Sequence, residues 1–312
     1  MFEKEDFRQI QSRIKPFIHE TSVMFSQSLS DNLGNKLFIK PESLQKTGSF
    51  KIRGAASKVT SLGKQEINGL VTASSGNHGQ AVAFMAKAYN IKATIVIPNT
   101  APQAKIKAIR AYGAEIIMVG PKSSERIETA QRISQEMEYV YIPPYDDYEV
   151  LRGQGTIGLE LIDWNHPIDK VFVPIGGGGL LSGIASCIKA FNPKIKVIGV
   201  EPKGSSCMYT SSKARERREI SPDTIADGLR TVIPGELTFP IVQKYVDELV
   251  LVDEFEIKNA MKMIMERMKL IIEPSGAVSF AAMLKEEGKG LNLVSVISGG
   301  NLDIMKIQEL LG

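Results

Sequence analysis

Val171-Phe172-Val173-Pro174-Ile175-Gly176-Gly177-Gly178-Gly179-Leu180-Leu181-Ser182-Gly183-Ile184-Ala185-Ser186-Cys187-Ile188 runs for 18 residues without a charge. At that length a membrane-crossing helix is the first alternative to weigh. Pro174 and five glycines argue against it, and the run divides instead into a strand, a glycine loop and a helix. Four successive glycines let the backbone approach a ligand closely, at an entropy cost that a plain turn need not bear. A phosphate at the N-terminus of the following helix is the natural occupant. No G-x-G-x-x-G fits, because the third glycine would fall on Leu181 or Ser182, and no Gly-Lys-[Ser/Thr] follows. A dinucleotide fingerprint and a P-loop are therefore excluded.

The strand–loop–helix pattern repeats outward. Upstream, strands are predicted over Leu70 to Ala73, Ala93 to Ile97 and Glu115 to Val119, with helices over Gln80 to Tyr89, Ala104 to Tyr112 and Ser124 to Glu136. Downstream, strands are predicted over Lys170 to Ile175, Lys196 to Val200, Leu249 to Val252 and Leu293 to Ile297, with helices over Leu181 to Phe191 and Glu254 to Lys269. Apolar strands separated by helices predict an α/β fold of parallel sheets flanked by helices. The stretch from about Ser61 to Ile142 holds four strand–helix units of its own. This predicts two lobes: a small domain over 61–141, and a large one built from 1–60 and 142–312. Pro143-Pro144 marks the return crossing, and a cleft between the lobes is the expected ligand site.

Composition narrows the function. In 312 residues, 38 Lys and Arg against 35 Asp and Glu leave a net charge of +3, with 43% hydrophobic residues. Such a chain builds a core and is not disordered. Its charge gives no footprint for nucleic acid or an anionic membrane, and the basic run Lys213 to Arg218 reads as solvated surface. Cys187 and Cys207 cannot form a disulfide framework. His19, His78 and His166 are too scattered for a zinc cage. The N-terminus is charged from its third residue, unlike a signal peptide, so a cytoplasmic protein is expected.

Three further clusters stand at strand ends or helix starts. In Ser49-Phe50-Lys51-Ile52-Arg53-Gly54-Ala55, a helix is predicted to begin near Gly48 or Ser49 with a serine cap. Lys51 then lies in the first turn, where the helix dipole and desolvation lower its pKa and make it a candidate Schiff-base nucleophile. Thr72-Ala73-Ser74-Ser75-Gly76-Asn77-His78-Gly79 offers N–H groups and hydroxyls suited to a carboxylate. Ser298-Gly299-Gly300-Asn301 follows a strand, and Ser298 offers a neutral hydroxyl to a heterocycle nitrogen.

A lysine nucleophile, a phosphate loop, a carboxylate loop and a neutral hydroxyl together describe a pyridoxal phosphate site. In order and placement, from about Ile14 to Asp303, these motifs resemble the pyridoxal-phosphate enzymes of the second fold type. That fold is tryptophan-synthase-β-like, and the resemblance is to its serine/threonine dehydratase and serine racemase group. It implies that Lys51 carries the cofactor as a Schiff base and that Phe50 packs beside the ring. The loop Gly176, Gly177, Gly178, Gly179 would hold the phosphate. Asn77 would bond the phenolic oxygen, Gly228 in Asp227-Gly228 would line the cofactor's edge, and Ser298 would face the pyridine nitrogen. Ser74, Ser75, Gly76, Asn77 and His78 would grip the substrate.

The implied activity is elimination of water from L-threonine or L-serine, giving a 2-oxo acid and ammonia. Ser75, as a second acid/base, and Arg126 stand where racemases of the group carry such residues. They keep serine racemase and threo-3-hydroxyaspartate ammonia-lyase open, whereas Ile142-Pro143-Pro144-Tyr145-Asp146-Asp147 resembles bacterial threonine dehydratases. Glu201 and Ser205 match two positions of a divalent-cation site in racemase-like members, but Cys207 stands where an acid belongs, and a thiol suits Mg²⁺ or Ca²⁺ poorly. The chain ends soon after Asn301, so a shorter, degradative type without a regulatory domain is expected, as a homodimer or homotetramer. A non-catalytic binder on a two-lobed scaffold remains the competing class, and it would have no use for Lys51.

Overall fold

The computed structural model describes residues 2–63 and 67–311. Helix α1 (Lys4–Ile14), strand β1 (Met24–Phe25), α2 (Gln27–Leu33) and β2 (Lys36–Pro41) lead to α3 (Lys51–Ser61). Next come β3 (Gly69–Thr72), α4 (Asn77–Tyr89), β4 (Lys92–Pro98), α5 (Gln103–Arg110), β5 (Glu115–Val119), α6 (Ser123–Glu136) and β6 (Val140–Tyr141). The chain then forms α7 (Tyr148–Asp163), β7 (Lys170–Pro174), α8 (Gly179–Phe191), β8 (Lys196–Pro202), α9 (Cys207–Ala214) and α10 (Thr238–Tyr245). Last are β9 (Glu248–Val252), α11 (Glu254–Met263), α12 (Pro274–Met283), β10 (Asn292–Ile297) and α13 (Ile307–Leu311).

Two sheets result. The six-stranded sheet has the order β1-β2-β10-β7-β8-β9 and the four-stranded one β5-β4-β3-β6. Every pairing is parallel except β1 with β2 at one edge. Valine and isoleucine fill the inner strands because both faces are covered. Ile257, Met261 and Phe280 from α11 and α12 pack on one face of the large sheet, and Ile157, Leu181 and Ile184 from α7 and α8 on the other. Gly183 draws α8 against α7 so tightly that a Cβ there would lie 2.7 Å from Gly155 N.

The four strands of the smaller sheet carry three helices between them rather than four strand–helix units. The helix after β6, α7, packs with α3 and α8 instead. The predicted helix over Glu254 to Lys269 ends its α-helical part at Met263 and widens into a π turn over Ile264–Met268. No helix among the described residues is long and apolar enough to cross a membrane.

Behind α3 lies a buried charge cluster. Arg53 Nε donates to Glu42 at 2.7 Å and Arg53 Nη1 to Glu160 at 2.5 Å, and Lys40 Nζ also reaches Glu160. Burial opposes both charges of the Arg53–Glu42 pair. Mutual attraction outweighs it, so Glu42 is held below the usual carboxylate range and Arg53 above its own. The cluster ties α3 to the short 3₁₀ turn Glu42–Leu44 after β2 and to α7, which fixes the azimuth of the helix that begins with Lys51.

Candidate active site

The clusters singled out in the sequence follow the C-terminal ends of β2, β3, β7 and β10, the end of a parallel sheet where ligands bind. Lys51 opens α3 and is half-buried. Its Nζ donates to Pro144 O at 2.6 Å and lies 5.1 Å from the centroid of the Phe50 ring. Burial lowers its pKa to about 8, so about a tenth of the amine is neutral and nucleophilic at pH 7, far more than for an ordinary lysine. The expected serine cap is absent. Phe50 is the N-cap and no side chain caps the helix. Ser49 instead pairs with Gly299 through a backbone bridge, and Phe50 N donates to Ser298 O at 3.0 Å. A strand-like tie to the segment after β10 does the work expected of the cap.

The glycine loop is walled by Tyr145, which the sequence placed in the dehydratase-like run Ile142 to Asp147 but gave no role at this loop. A Cβ on Gly177 would overlap the Tyr145 ring, and one on Gly179 would come 2.7 Å from Tyr145 Cβ. Gly178 adopts φ +98°, a conformation open to glycine. Thr238 Oγ1 donates to Gly177 O at 2.6 Å. Asp146 accepts from the N–H groups of Glu236 (2.8 Å), Leu237 (3.0 Å) and Thr238 (3.3 Å) at the start of α10. Pro144, Tyr145, Asp146 and Asp147 thus form a strap. Its members engage, in order, Lys51, the glycine loop, the start of α10, and Lys58 of α3 together with the first turn of α7.

The turn after β3 is half-exposed at Ser74, Ser75, Gly76 and Asn77. His78 departs from its expected place there. Its ring turns inward, Nε2 bonding Ile142 O at 2.9 Å, and burial pushes its pKa down to about 3. The ring is therefore neutral and spends its one N–H on a carbonyl, so for a substrate carboxylate only its backbone N–H is left as a donor. Asn77 Nδ2 donates to Glu273 at 2.6 Å, and Asn301 Nδ2 donates to Asn77 Oδ1 at 2.7 Å. Burial, helped by nearby Asp227, raises Glu273 to about 7 even though the Asn77 hydrogen bond holds it down. Glu273 was missed in the sequence. The usable signal was a lone carboxylate between Leu270-Ile271-Ile272 and Pro274.

Ser298 is buried, and its Oγ approaches Ser275 O at 3.4 Å. Gly228 N donates to Ser275 Oγ at 3.0 Å, so both positions converge on the start of α12. Lys105 of α5 pairs with Asp227, a further tie across the two sheets' bodies besides those that Asn77 makes with Glu273 and Asn301.

Arg126 is not brought to this cluster. Its guanidinium bonds Pro121 O (3.1 Å) and Ser123 Oγ (2.8 Å) at the entrance of its own helix. Glu201 and Ser205 do not fit a divalent ion either. The Glu201 carboxylate accepts from Met208 N (2.9 Å) and Tyr209 N (2.7 Å) as the cap of α9, and burial raises its pKa to about 8. Ser205 Oγ donates to Leu229 O at 2.9 Å. The Glu201 carboxyl is thus committed to the start of α9, and Cys207, a thiol, stands where the acidic ligand belongs, which leaves the Ser205 backbone carbonyl alone as an oxygen donor.

Pyridoxal phosphate does fit. The glycine cradle excludes any side chain at Gly177, the helix start at Gly179 offers unpaired N–H groups, and a half-buried amine of lowered pKa stands nearby.

Comparison with known proteins agrees. Residues 14–299 match the family model described as pyridoxal-phosphate dependent enzyme. An L-threonine ammonia-lyase of Thermotoga maritima is 43% identical over 314 residues, covering 100% of this chain and 78% of the relative. A catabolic L-threonine dehydratase of Staphylococcus aureus is 44% identical over 317 residues, covering 98% of this chain and 91% of the relative. The solved structure of maize serine racemase superposes with a TM-score of 0.94 at 40% identity, covering 98% of this chain and 96% of that one.

Proposed function

The chain belongs to the pyridoxal-phosphate dependent enzyme family, and from that premise we propose that it removes water from L-threonine or L-serine, giving a 2-oxo acid and ammonia. The observation that carries the reading is Lys51, an amine of lowered pKa bonded to Pro144, next in sequence to the ring that covers Gly177. The ammonia-lyase and dehydratase relatives support the choice of reaction.

Bound pyridoxal phosphate would supply the electron sink for a carbanion at the substrate α-carbon. The residues of this chain do the rest. Lys51 would bond the cofactor and, once displaced by the substrate amine, take the α-proton. The glycine loop and the first turn of α8 would hold the phosphate. Asn77 would donate to the ring's phenolic oxygen, Gly228 would line its edge, and Ser298 would set a neutral hydroxyl beside the ring nitrogen. The Ser74–His78 backbone would grip the substrate carboxylate. In net terms the α-proton and the β-hydroxyl would leave as water, and the enamine set free would hydrolyse by way of its imine to the 2-oxo acid and ammonia. In this reading residues 61–141 form the substrate-gripping lobe, and 1–60 with 142–312 the cofactor lobe. Assembly as a homodimer or homotetramer goes with it.

A pH dependence follows from Lys51. Since only the neutral amine attacks, the loading rate of the cofactor-free protein should rise nearly tenfold per pH unit up to about pH 8, then level off. Stopped-flow absorbance at a series of pH values reads this directly, and a flat profile from pH 6 to pH 9 contradicts the assignment.

The deciding assay is 2-oxo acid release by the loaded enzyme, with L-threonine, L-serine and threo-3-hydroxyaspartate supplied separately. Release from L-threonine with the highest kcat/KM is expected, and no release from any of the three overturns the lyase reading. Ser75, half-exposed in the turn, together with the likeness to serine racemase, makes racemisation the second activity to measure. Ser75→Ala should remove D-serine formation while elimination continues, whereas equal loss of both would assign Ser75 a structural role.

A further inference from the structure

The Asn77 side chain is held between two partners of opposite kind. Glu273 Oε1 lies 2.6 Å from Asn77 Nδ2, and Asn301 Nδ2 lies 2.7 Å from Asn77 Oδ1. Asn301 gives its other N–H to Thr47 O at 2.8 Å, so it can meet Asn77 only as a donor. Glu273 Oε1 accepts whether the group is ionised or is the neutral acid with its carbonyl oxygen toward Asn77, and an amide committed to donation donates. Asn77 can satisfy both in only one of its two flip states, with the oxygen toward Asn301 and the nitrogen toward Glu273. One N–H of Asn77 remains, so Asn77 presents a donor to any ligand.

The surroundings lock Glu273 in turn. It is 6% exposed, its backbone N–H donates to Gly299 O at 3.2 Å, and a Cβ on Gly299 would overlap its Oε1. Gly299 also pairs with Ser49, which precedes Phe50 and Lys51. The carboxylate is therefore built into the junction of the three segments that carry Lys51, Asn77 and Ser298.

We propose that Glu273 is a positioning residue that acts through Asn77, fixing its amide so that a donor N–H faces the cofactor's phenolic oxygen. This rests on the cofactor reading above. It extends that reading to a residue that touches neither the cofactor nor the substrate, and it places the acceptor of the relay on α12's entrance rather than on the substrate turn. Removal of the acceptor leaves Asn301 as the one remaining tether of the Asn77 amide, which can then swing about that single bond and lose the aim of its N–H toward the cofactor.

The test titrates cofactor-free protein with pyridoxal phosphate and follows the visible absorption band. Glu273→Ala should weaken cofactor binding about tenfold, which is about 1.4 kcal/mol, and shift the band. Glu273→Gln keeps an acceptor oxygen without the charge, and it should restore both to within about twofold. In an Asn77→Ala background, Glu273→Ala should add no further loss, because the relay is already cut. Unchanged affinity and band in Glu273→Ala would overturn the proposal. So would equal damage by the glutamine variant, or additive losses in the double variant. If Glu273→Ala does not fold, Glu273→Leu, which fills the space but offers no acceptor, takes its place in both backgrounds. Failure of the unsubstituted protein to develop a visible band would instead sink the cofactor reading itself.

Discussion

Lys51→Ala should release 2-oxo acid from L-threonine at least about 10⁴-fold more slowly than the unsubstituted enzyme, because bonding the cofactor and moving the α-proton fall to the same amine. The loss should appear in kcat, and added primary amines should restore part of it, since a small amine can enter the space left by the side chain. Folding should survive: the amine makes one hydrogen bond, to Pro144 O, and it is shed from a half-buried position. Alanine also suits the first turn of a helix. Coupled assay of 2-oxo acid, with the thermal midpoint as control, checks both halves. Retention of ordinary turnover would remove Lys51 from the mechanism.

The largest effect on stability should come from Arg53→Ala. That guanidinium is the shared partner of Glu42 and Glu160, all three essentially buried. Taking away one member of such a cluster leaves carboxylates without a counter-charge and costs about 3–5 kcal/mol. For a chain of this size that corresponds to a fall of on the order of 10 °C in the thermal midpoint. Lys40 would remain beside Glu160, so Glu42 should suffer most. The sign with pH follows from its lowered pKa. The stabilisation from Glu42 is complete above the usual carboxylate range and is lost as pH falls through its folded value. The difference between the two proteins should therefore shrink on acidification below the usual carboxylate range, which thermal melts at pH 7 and pH 3 would show. A midpoint unchanged at pH 7 would mean that the cluster contributes nothing to folding.

The sequence was most legible where chain-local rules decide. Strands such as Glu115–Val119, and the passage from β7 through the glycine loop to α8, follow from apolar runs and glycine placement. Tertiary ties were not legible. The start of α3 is set by pairing of Ser49 with Gly299, distant in sequence, so local capping preference placed the helix start up to three residues early. Helix α12 has all ten residues buried, so it lacks the polar stripe that reveals a helix, and it escaped notice along with Ser275 on it and Glu273 before it. His78 was read as part of a carboxylate grip because residue type carries no direction, and its ring points to Ile142. Tyr145 and Asp146 act through residues far along the chain, such as Gly177 and Glu236, which spacing does not reveal.

The order of strands in the larger sheet has a consequence for synthesis. β2, the strand that leads to Lys51, has only β1 on one side and β10 on the other. At its foot, Asn35 holds the N–H of Leu291, 256 residues later. A ribosome adding about 5–20 residues per second needs roughly 10 to 50 seconds to cover that interval. Throughout it the nascent chain has an open flank where β10 will sit, with Ser298, Gly299 and Asn301 still unmade. The lysine emerges among the first residues, yet nothing can bind to it productively until the last strand is inserted. Productive cofactor capture should therefore wait until β10 is made, and fragments cut short before β10 should fail to assemble the site.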